Sequence, residues 1–329
     1  MIRNLLPALV ATALVVTTAS CGGRHLTSLD PASAERAAAP ASGAVTDHVI
    51  VVSIDGLRPD AIERFGATTL QRLMREGSHS LEASTVLPSK TLPSHTSMLT
   101  GTEVDVHGVT WNSEQLGEHG HVATPTIFAA ARRAGFETAA FFSKRKFRHL
   151  QVPGTLNYGQ SPSRWPGFWS AERTVGDAER YLDEHRPNLL FVHLGDADFA
   201  GHLMGWMSRP YGWAVREVDE ELARLLEAAD AAFGPGEYTL LVTADHGGHG
   251  RDHGSEDPRD VTIPWIAWGE GVARGVSLDA GISTMDTAGT TLWLLGIASP
   301  AGTVGRAVEA AFTGSAVAVA SRVGARPGS

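Results

Sequence analysis

Cysteine is nearly absent: Cys21 is the only one in 329 residues. That excludes a disulfide framework and any thiolate-rich metal site, so metal ligands would have to be carboxylates and some of the 14 histidines. A basic surplus is absent too. With 27 Lys and Arg against 36 Asp and Glu the formal net charge is −9, which lacks the electrostatic footprint of a nucleic-acid coat, so duplex binding is not expected. The long uncharged apolar run, Leu5 to Val16, has twelve residues, too few for a comfortable membrane span. What is there instead is an ordinary globular composition, 43% hydrophobic and 19% charged, long enough to bury a core in one large or two small domains.

Arg3 ahead of that apolar run gives residues 1–20 the pattern of a signal peptide. Thr18-Ala19-Ser20-Cys21-Gly22 resembles a bacterial lipobox, although Thr18 stands where Leu is usual. Cleavage before Cys21 and lipidation of its thiol would make an exported cell-envelope lipoprotein, touching the membrane through its lipid anchor. With a plain signal peptide the chain would be periplasmic or secreted. Residues 21–46 are rich in Ala, Ser and Pro and read as a flexible linker. Residues 47–298 form the expected folded body. Residues 299–329 read as a helix, Val304 to Phe312, and a tail.

In the body, buried-type strands alternate with helices. Strands are expected at Val49 to Ile54, Phe136 to Phe142, Asn188 to Leu194, Tyr238 to Thr243 and Val261 to Trp268. A helical stretch opens at Pro59 and ends before Gly77, and further helices run over Pro125 to Ala134, Val175 to His185, Val215 to Ala232 and Ile282 to Leu295. This is an α/β pattern: a mostly parallel central sheet sandwiched between helices, with the site beyond the carboxyl ends of the strands.

Three of those ends carry metal-ligand chemistry: Asp55-Gly56, the run Asp196 to His202, and the run Asp245 to His253. Each alone has a bland reading as a turn or a solvated loop; together they point to a metal centre. A fourth segment, Lys90-Thr91-Leu92-Pro93-Ser94-His95, opens a helix that ends at Gly101. A hydroxyl there lies at the positive helix terminus, and beside a divalent cation it would ionise and attack.

The order of these blocks resembles the alkaline phosphatase superfamily, and within it the type I phosphodiesterase and nucleotide pyrophosphatase branch. The resemblance rests on Ile54-Asp55-Gly56, Lys90 to His95 with Thr100-Gly101, His107 to Asn112, Asp198 to His202, and Ala244 to Gly247. It implies an alkaline phosphatase-like catalytic domain over 47–298 with two Zn2+ ions, for which Mn2+ is a conceivable substitute. Asp55, Thr91, Asp245 and His246 would hold one ion. Asp198, His202 and a later histidine would hold the other, with His253 favoured and His249 its competitor; Asp196 is left a supporting role. Thr91 would be the nucleophile of a covalent phospho-threonine mechanism, Asn112 a donor to a phosphoryl oxygen, and Lys90 an added positive charge. Lys90 and Asn112 also have bland readings, as a solvated lysine and a turn residue.

His246 and His253 are only seven residues apart, so the long insertion that nucleotide-type relatives place there is missing. The substrate side would then come from 113–123 or 144–170, where Lys144 to His149 offers cations and Trp165 to Trp169 aromatics. Sulfatases share the fold but need Cys or Ser where Thr91 stands, and an Arg that is missing here. The expected activity is hydrolysis of a small-molecule phosphodiester or pyrophosphate, with phosphomonoester hydrolysis on the same site as the alternative and a non-catalytic zinc-binding lipoprotein as the alternative of another class. Oligomeric state is not legible.

Overall fold

The computed structural model describes residues 44–163, 167–279 and 281–313. The expected signal peptide, the Cys21 lipidation site, most of the linker, Trp165 and the tail from 314 lie outside the described residues. Among the described residues, no helix is long and apolar enough to cross a membrane.

Eight strands form one sheet: β1 (Val49–Ile54), β2 (Ser78–Ser84), β3 (Thr138–Phe142), β4 (Tyr158–Gln160), β5 (Leu189–Leu194), β6 (Thr239–Thr243), β7 (Thr262–Gly269) and β8 (Val276–Ser277). Their order is β4-β3-β5-β1-β6-β7-β2-β8. From β4 to β6 all neighbours are parallel, and β7 runs antiparallel to both β6 and β2. Every residue of β1, β3, β5 and β6 is buried, as expected of parallel strands covered on both faces. The helices are α1 (Pro59–Arg64), α2 (Thr68–Glu76), α3 (Thr91–Thr100), α4 (Val104–His107), α5 (Leu116–His119), α6 (Ile127–Arg133), α7 (Ala171–His185), α8 (Asp196–Met204), α9 (Arg209–Phe233), α10 (Pro258–Val261) and α11 (Asp286–Leu294). This mostly parallel sheet with helices is the α/β architecture read from the sequence.

Register is what assembles the site. Ile54 pairs with Leu194, Ser53 with Thr243, and Phe142 with His193. The residues just past these four strands therefore emerge side by side along one edge of the sheet.

Several elements differ from expectation. The stretch from Pro59 to Gly77 is two helices, because the chain turns at Gly66 (φ +69°). β2 and α8 were not expected; β2 has only a half-buried pattern interrupted by a bulge near Ser80. α7 starts at Ala171, where Ser170 accepts the Arg173 N–H, and α9 starts at Arg209, where Ser208 accepts the Tyr211 N–H.

The expected helix Val304 to Phe312 is instead an irregular segment with a single 3-10 turn, Glu309–Ala311. Its N–H groups are used elsewhere. Those of Val304 and Gly305 donate to the carbonyl of Gly101, and that of Arg306 to the Asp286 carboxylate. These bonds strap the segment to the C-terminal end of α3 and the start of α11.

Candidate active site

Asp55 follows β1 directly, Asp245 and His246 follow β6, and Asp198 lies in the first turn of α8, just past β5. All four side chains are buried. Gly56 makes the packing feasible. Its φ is +72°, and a Cβ there would sit 3.0 Å from the Asp198 Cα. Its N–H donates to Asp245 Oδ1 (3.1 Å), and its carbonyl accepts from Trp206 Nε1 and Tyr211 Oη, both at 2.9 Å.

Thr91 is the first residue of α3 and is buried, with its hydroxyl 3.3 Å from His246 Nε2. The unusually polar α3 is held by matched partners. Ser94 donates to the Asp245 carbonyl (2.7 Å), and His95 bridges the Thr91 carbonyl (2.8 Å) and Ser53 Oγ (2.8 Å). His107 accepts the Val109 N–H at Nδ1, so its Nε2–H donates to Ser97 Oγ (2.9 Å).

The ligand candidates fall into two touching groups. His246 Nε2 lies 3.3 Å from Asp55 Oδ1 and 3.2 Å from Asp245 Oδ2. Asp198 Oδ1 lies 3.4 Å from His202 Nε2 and 3.6 Å from His253 Nε2, and those two nitrogens are 3.1 Å apart. The structure brings His253, not His249, to this cluster. His249 is turned away onto Asp260 (2.7 Å).

Two observations test whether these residues fit a metal pair. Asp55 Oδ1, Asp198 Oδ1 and Asp245 Oδ2 are buried without a hydrogen-bond partner, although buried carboxylate oxygens are normally satisfied. The histidine tautomers point the same way. Nδ1 of His202, His246 and His253 each lies 2.7–2.9 Å from a backbone carbonyl, of Arg251, Gly247 and Ser89 respectively. A carbonyl only accepts, so each Nδ1 carries the proton and each Nε2 presents a lone pair to the carboxylates. Converging lone pairs and orphaned anionic oxygens call for cations. The same convergence of negative charge acts on His246: burial opposes its protonation, but Asp245 and Asp55 outweigh it and raise its pKa to about 9. Burial and that charged neighbour push His253 down to about 4.

Asn112 is fixed against the start of α3. Its Oδ1 accepts the Leu92 N–H (2.9 Å) and Lys146 Nζ (3.0 Å), which leaves its NH2 as the free donor. Lys90, the residue capping α3, makes no side-chain hydrogen bond or ion pair among the described residues; its stem lies over Gly254.

The cations at the site come from the run after β3. Lys144 Nζ donates to Asp55 Oδ2 (2.6 Å) and also to Asp198 Oδ2, and His193 Nε2 lies 2.9 Å from the same Asp55 Oδ2. Burial, then Lys144, lowers the Lys146 pKa to about 8. Reading the strand ends would have found Lys144, which lies two residues past β3. His95 and His193 carried no separate signal. Of the substrate-side aromatics, Phe168 stacks on the exposed Phe199 with centroids 5.2 Å apart.

The chain is similar to several known proteins. The chain is 39% identical over 223 residues to the bis(5'-adenosyl)-triphosphatase enpp4 of Xenopus laevis, covering 61% of this chain and 47% of that one. It spans less than half the length of this relative and of the human ectonucleotide pyrophosphatase/phosphodiesterase family member 5, to which it is 26% identical over 219 residues, covering 60% of this chain and 44% of that one. The solved murine ectonucleotide pyrophosphatase/phosphodiesterase 5, an inactive threonine-to-alanine variant in complex with AMP, superposes with a TM-score of 0.65 at 17% identity, covering 77% of this chain and 96% of that one. Residues 49–254, spanning every candidate ligand, match the type I phosphodiesterase / nucleotide pyrophosphatase family, and to that family the chain belongs.

Proposed function

We propose that the protein is an exported, metal-dependent phosphoesterase that cleaves phosphodiester or pyrophosphate bonds in small molecules through a covalent phospho-threonine. The observation that carries this reading is the set of three orphaned carboxylate oxygens beside a threonine hydroxyl at a helix N-terminus. Asp55, Thr91, Asp245 and His246 would hold one divalent cation and Asp198, His202 and His253 the other. The nitrogen-rich donor set suits zinc, with manganese as a substitute. Bound there, the ions supply the positive charge that acidifies a hydroxyl and neutralises phosphoryl oxygens.

The chain's own residues do the rest. α3 presents the Thr91 hydroxyl at its first turn, where backbone N–H groups favour an anion. Thr91 Oγ1 attacks phosphorus, the P–O bond to the leaving group breaks, and water later cleaves the threonine ester. The Asn112 NH2 is positioned to donate to a phosphoryl oxygen as charge builds on it. A Leu follows Thr91 where phosphatases of monoesters carry an Arg, which favours diesters. We place the protein at the cell envelope through a lipidated Cys21, with residues 47–298 as the catalytic domain.

The test compares bis-p-nitrophenyl phosphate with p-nitrophenyl phosphate after EDTA treatment and zinc add-back. Zinc-restored turnover of the diester above the monoester, lost in Thr91→Ala with metal content kept, is the expected result. Monoester preference would move the activity to the phosphatase class. Two bound zinc ions without turnover of either substrate would refute catalysis on simple phosphoesters.

A further inference from the structure

Lys144 joins the two ligand groups. One ammonium pairs with Oδ2 of Asp55, which belongs to the first group, and with Oδ2 of Asp198, which belongs to the second. The oxygens left over, Oδ1 of both residues, are the orphaned ones that face the histidine nitrogens. The lysine is not there by accident of a flexible side chain. Its backbone bridges to Phe168, and its stem runs over Gly195, where a Cβ would meet Lys144 Cε at 3.1 Å and Phe168 Cε2 at 2.8 Å. The side chain is 12% exposed, so the pairs are little screened by solvent. His193 adds a second contact to Asp55 Oδ2, held in turn by Ser143 (2.8 Å).

We infer that Lys144 is a positioning residue that sets metal selectivity: by occupying the second oxygen of one carboxylate in each group, it forces both to bind monodentately and keeps the pair of sites small and nitrogen-rich. A carboxylate with one oxygen engaged offers a single short bond, which suits the low coordination number of zinc. A carboxylate with both oxygens free can chelate, and that favours cations that take more oxygen ligands, such as manganese. Lys144 thereby decides between the two metals by withholding oxygens rather than by touching the ion. This inference rests on the proposal that Asp55 and Asp198 are metal ligands.

The test is metal binding, not turnover. The wild type and Lys144→Met, which keeps the stem length and loses the charge, are stripped, dialysed against Zn2+ and Mn2+ separately and together, and assayed for bound metal; Co2+-loaded samples report coordination number through their visible spectrum. The wild type is expected to hold two zinc ions in the presence of manganese. In Lys144→Met the ratio of zinc to manganese affinity should fall about 10- to 100-fold, the scale seen when a ligand's outer partner is removed, with a weaker, higher-coordinate cobalt spectrum. Lys144→Gln, whose amide still donates to one carboxylate, should fall between, and serves in its place should Lys144→Met not fold. A folded variant with the wild-type zinc-to-manganese ratio and cobalt spectrum overturns this inference alone. A wild type that binds neither ion overturns it together with the proposed function.

Discussion

Asn112 offers a sharp separation of chemistry from architecture, because the proposed function assigns its two ends different work. Oδ1 accepts the N–H of Leu92, the second residue of α3, from 20 positions away, and also takes Lys146 Nζ. Lys90, the capping residue, contributes no side-chain cap, so Asn112 supplies the cap that the helix start lacks. Asn112→Ala removes both functions. Loss of a helix N-terminal acceptor costs about 1 kcal/mol, a fall in Tm of roughly 2–4 °C for a domain of this class. Loss of the NH2 donor in the transition state adds about 2.7–4 kcal/mol to the barrier, a drop in kcat on the order of 100- to 1000-fold. Asn112→Asp splits the two. The carboxylate still accepts from Leu92 and Lys146 and adds a charge at a helix N-terminus, a gain of about 0.3–1 kcal/mol. It cannot donate, and it faces the phosphoryl oxygens with a negative charge. Expected therefore are a Tm at or above wild type and a kcat as low as that of the alanine variant, read by thermal melts and by bis-p-nitrophenyl phosphate hydrolysis. An aspartate variant that melts normally and keeps kcat within about threefold would show that the amide NH2 does nothing in the reaction.

Further outcomes are as definite. His253→Ala should lose one of two bound zinc equivalents by elemental analysis while His249→Ala keeps both, since only His253 reaches Asp198 and His202; the reverse would reassign the ligand. His107, buried and with its Nδ1 accepting the Val109 N–H, has a pKa pushed down by burial to about 4 from 6.5. The unfolded chain takes up that proton below pH 6.5 and the folded chain does not until about 4, so stability should fall across that window, by at most about 3 kcal/mol. Urea titrations from pH 7 to 4 should show a shallower decline in His107→Gln, and an identical slope would refute the assignment. Gly56→Ala forces a side chain into φ +72° against the Asp198 backbone. It should cost about 1–2 kcal/mol from the backbone alone and weaken zinc binding by displacing Asp198; an unchanged melt and unchanged zinc titration would refute the packing argument.

Much of the candidate site was legible because its signals are local. A continuous run such as Val49 to Ile54 identifies a parallel strand, and the polar residues after it mark the edge, so Asp55, Asp245, His246 and the Asp196 to His202 run could be gathered from strands distant in sequence; Asp198 was singled out within that run only by the family resemblance. His253 was favoured over His249 on its place before a glycine in the family resemblance, a context His249 shares, and the structure gives the two rings different partners, Ser89 and Asp260. Lys144 was read only as part of a cationic run on the expected substrate side or a solvated face, and its pairing with Asp55 and Asp198 was not legible. Its role depends on a bare Gly195 far along the chain that lets the stem through. β2 escaped because its exposed polar residues and bulge blur the alternation. Val304 to Phe312 misled because helix propensity is a weak prior, overridden when backbone donors find partners on other elements.

Those partners have a consequence for the order of events in synthesis. The helix that bears Thr91 at one end has its other end closed by the N–H groups of residues 304 and 305. Every candidate ligand lies at or before His253. A chain emerging from its N-terminus first therefore presents every candidate ligand before the strap on α3 exists. The far end of α3 is thus closed by a stretch of chain some fifty residues beyond the last candidate ligand, so a change around residues 304 and 305 would reach Thr91 through the helix rather than through any ligand.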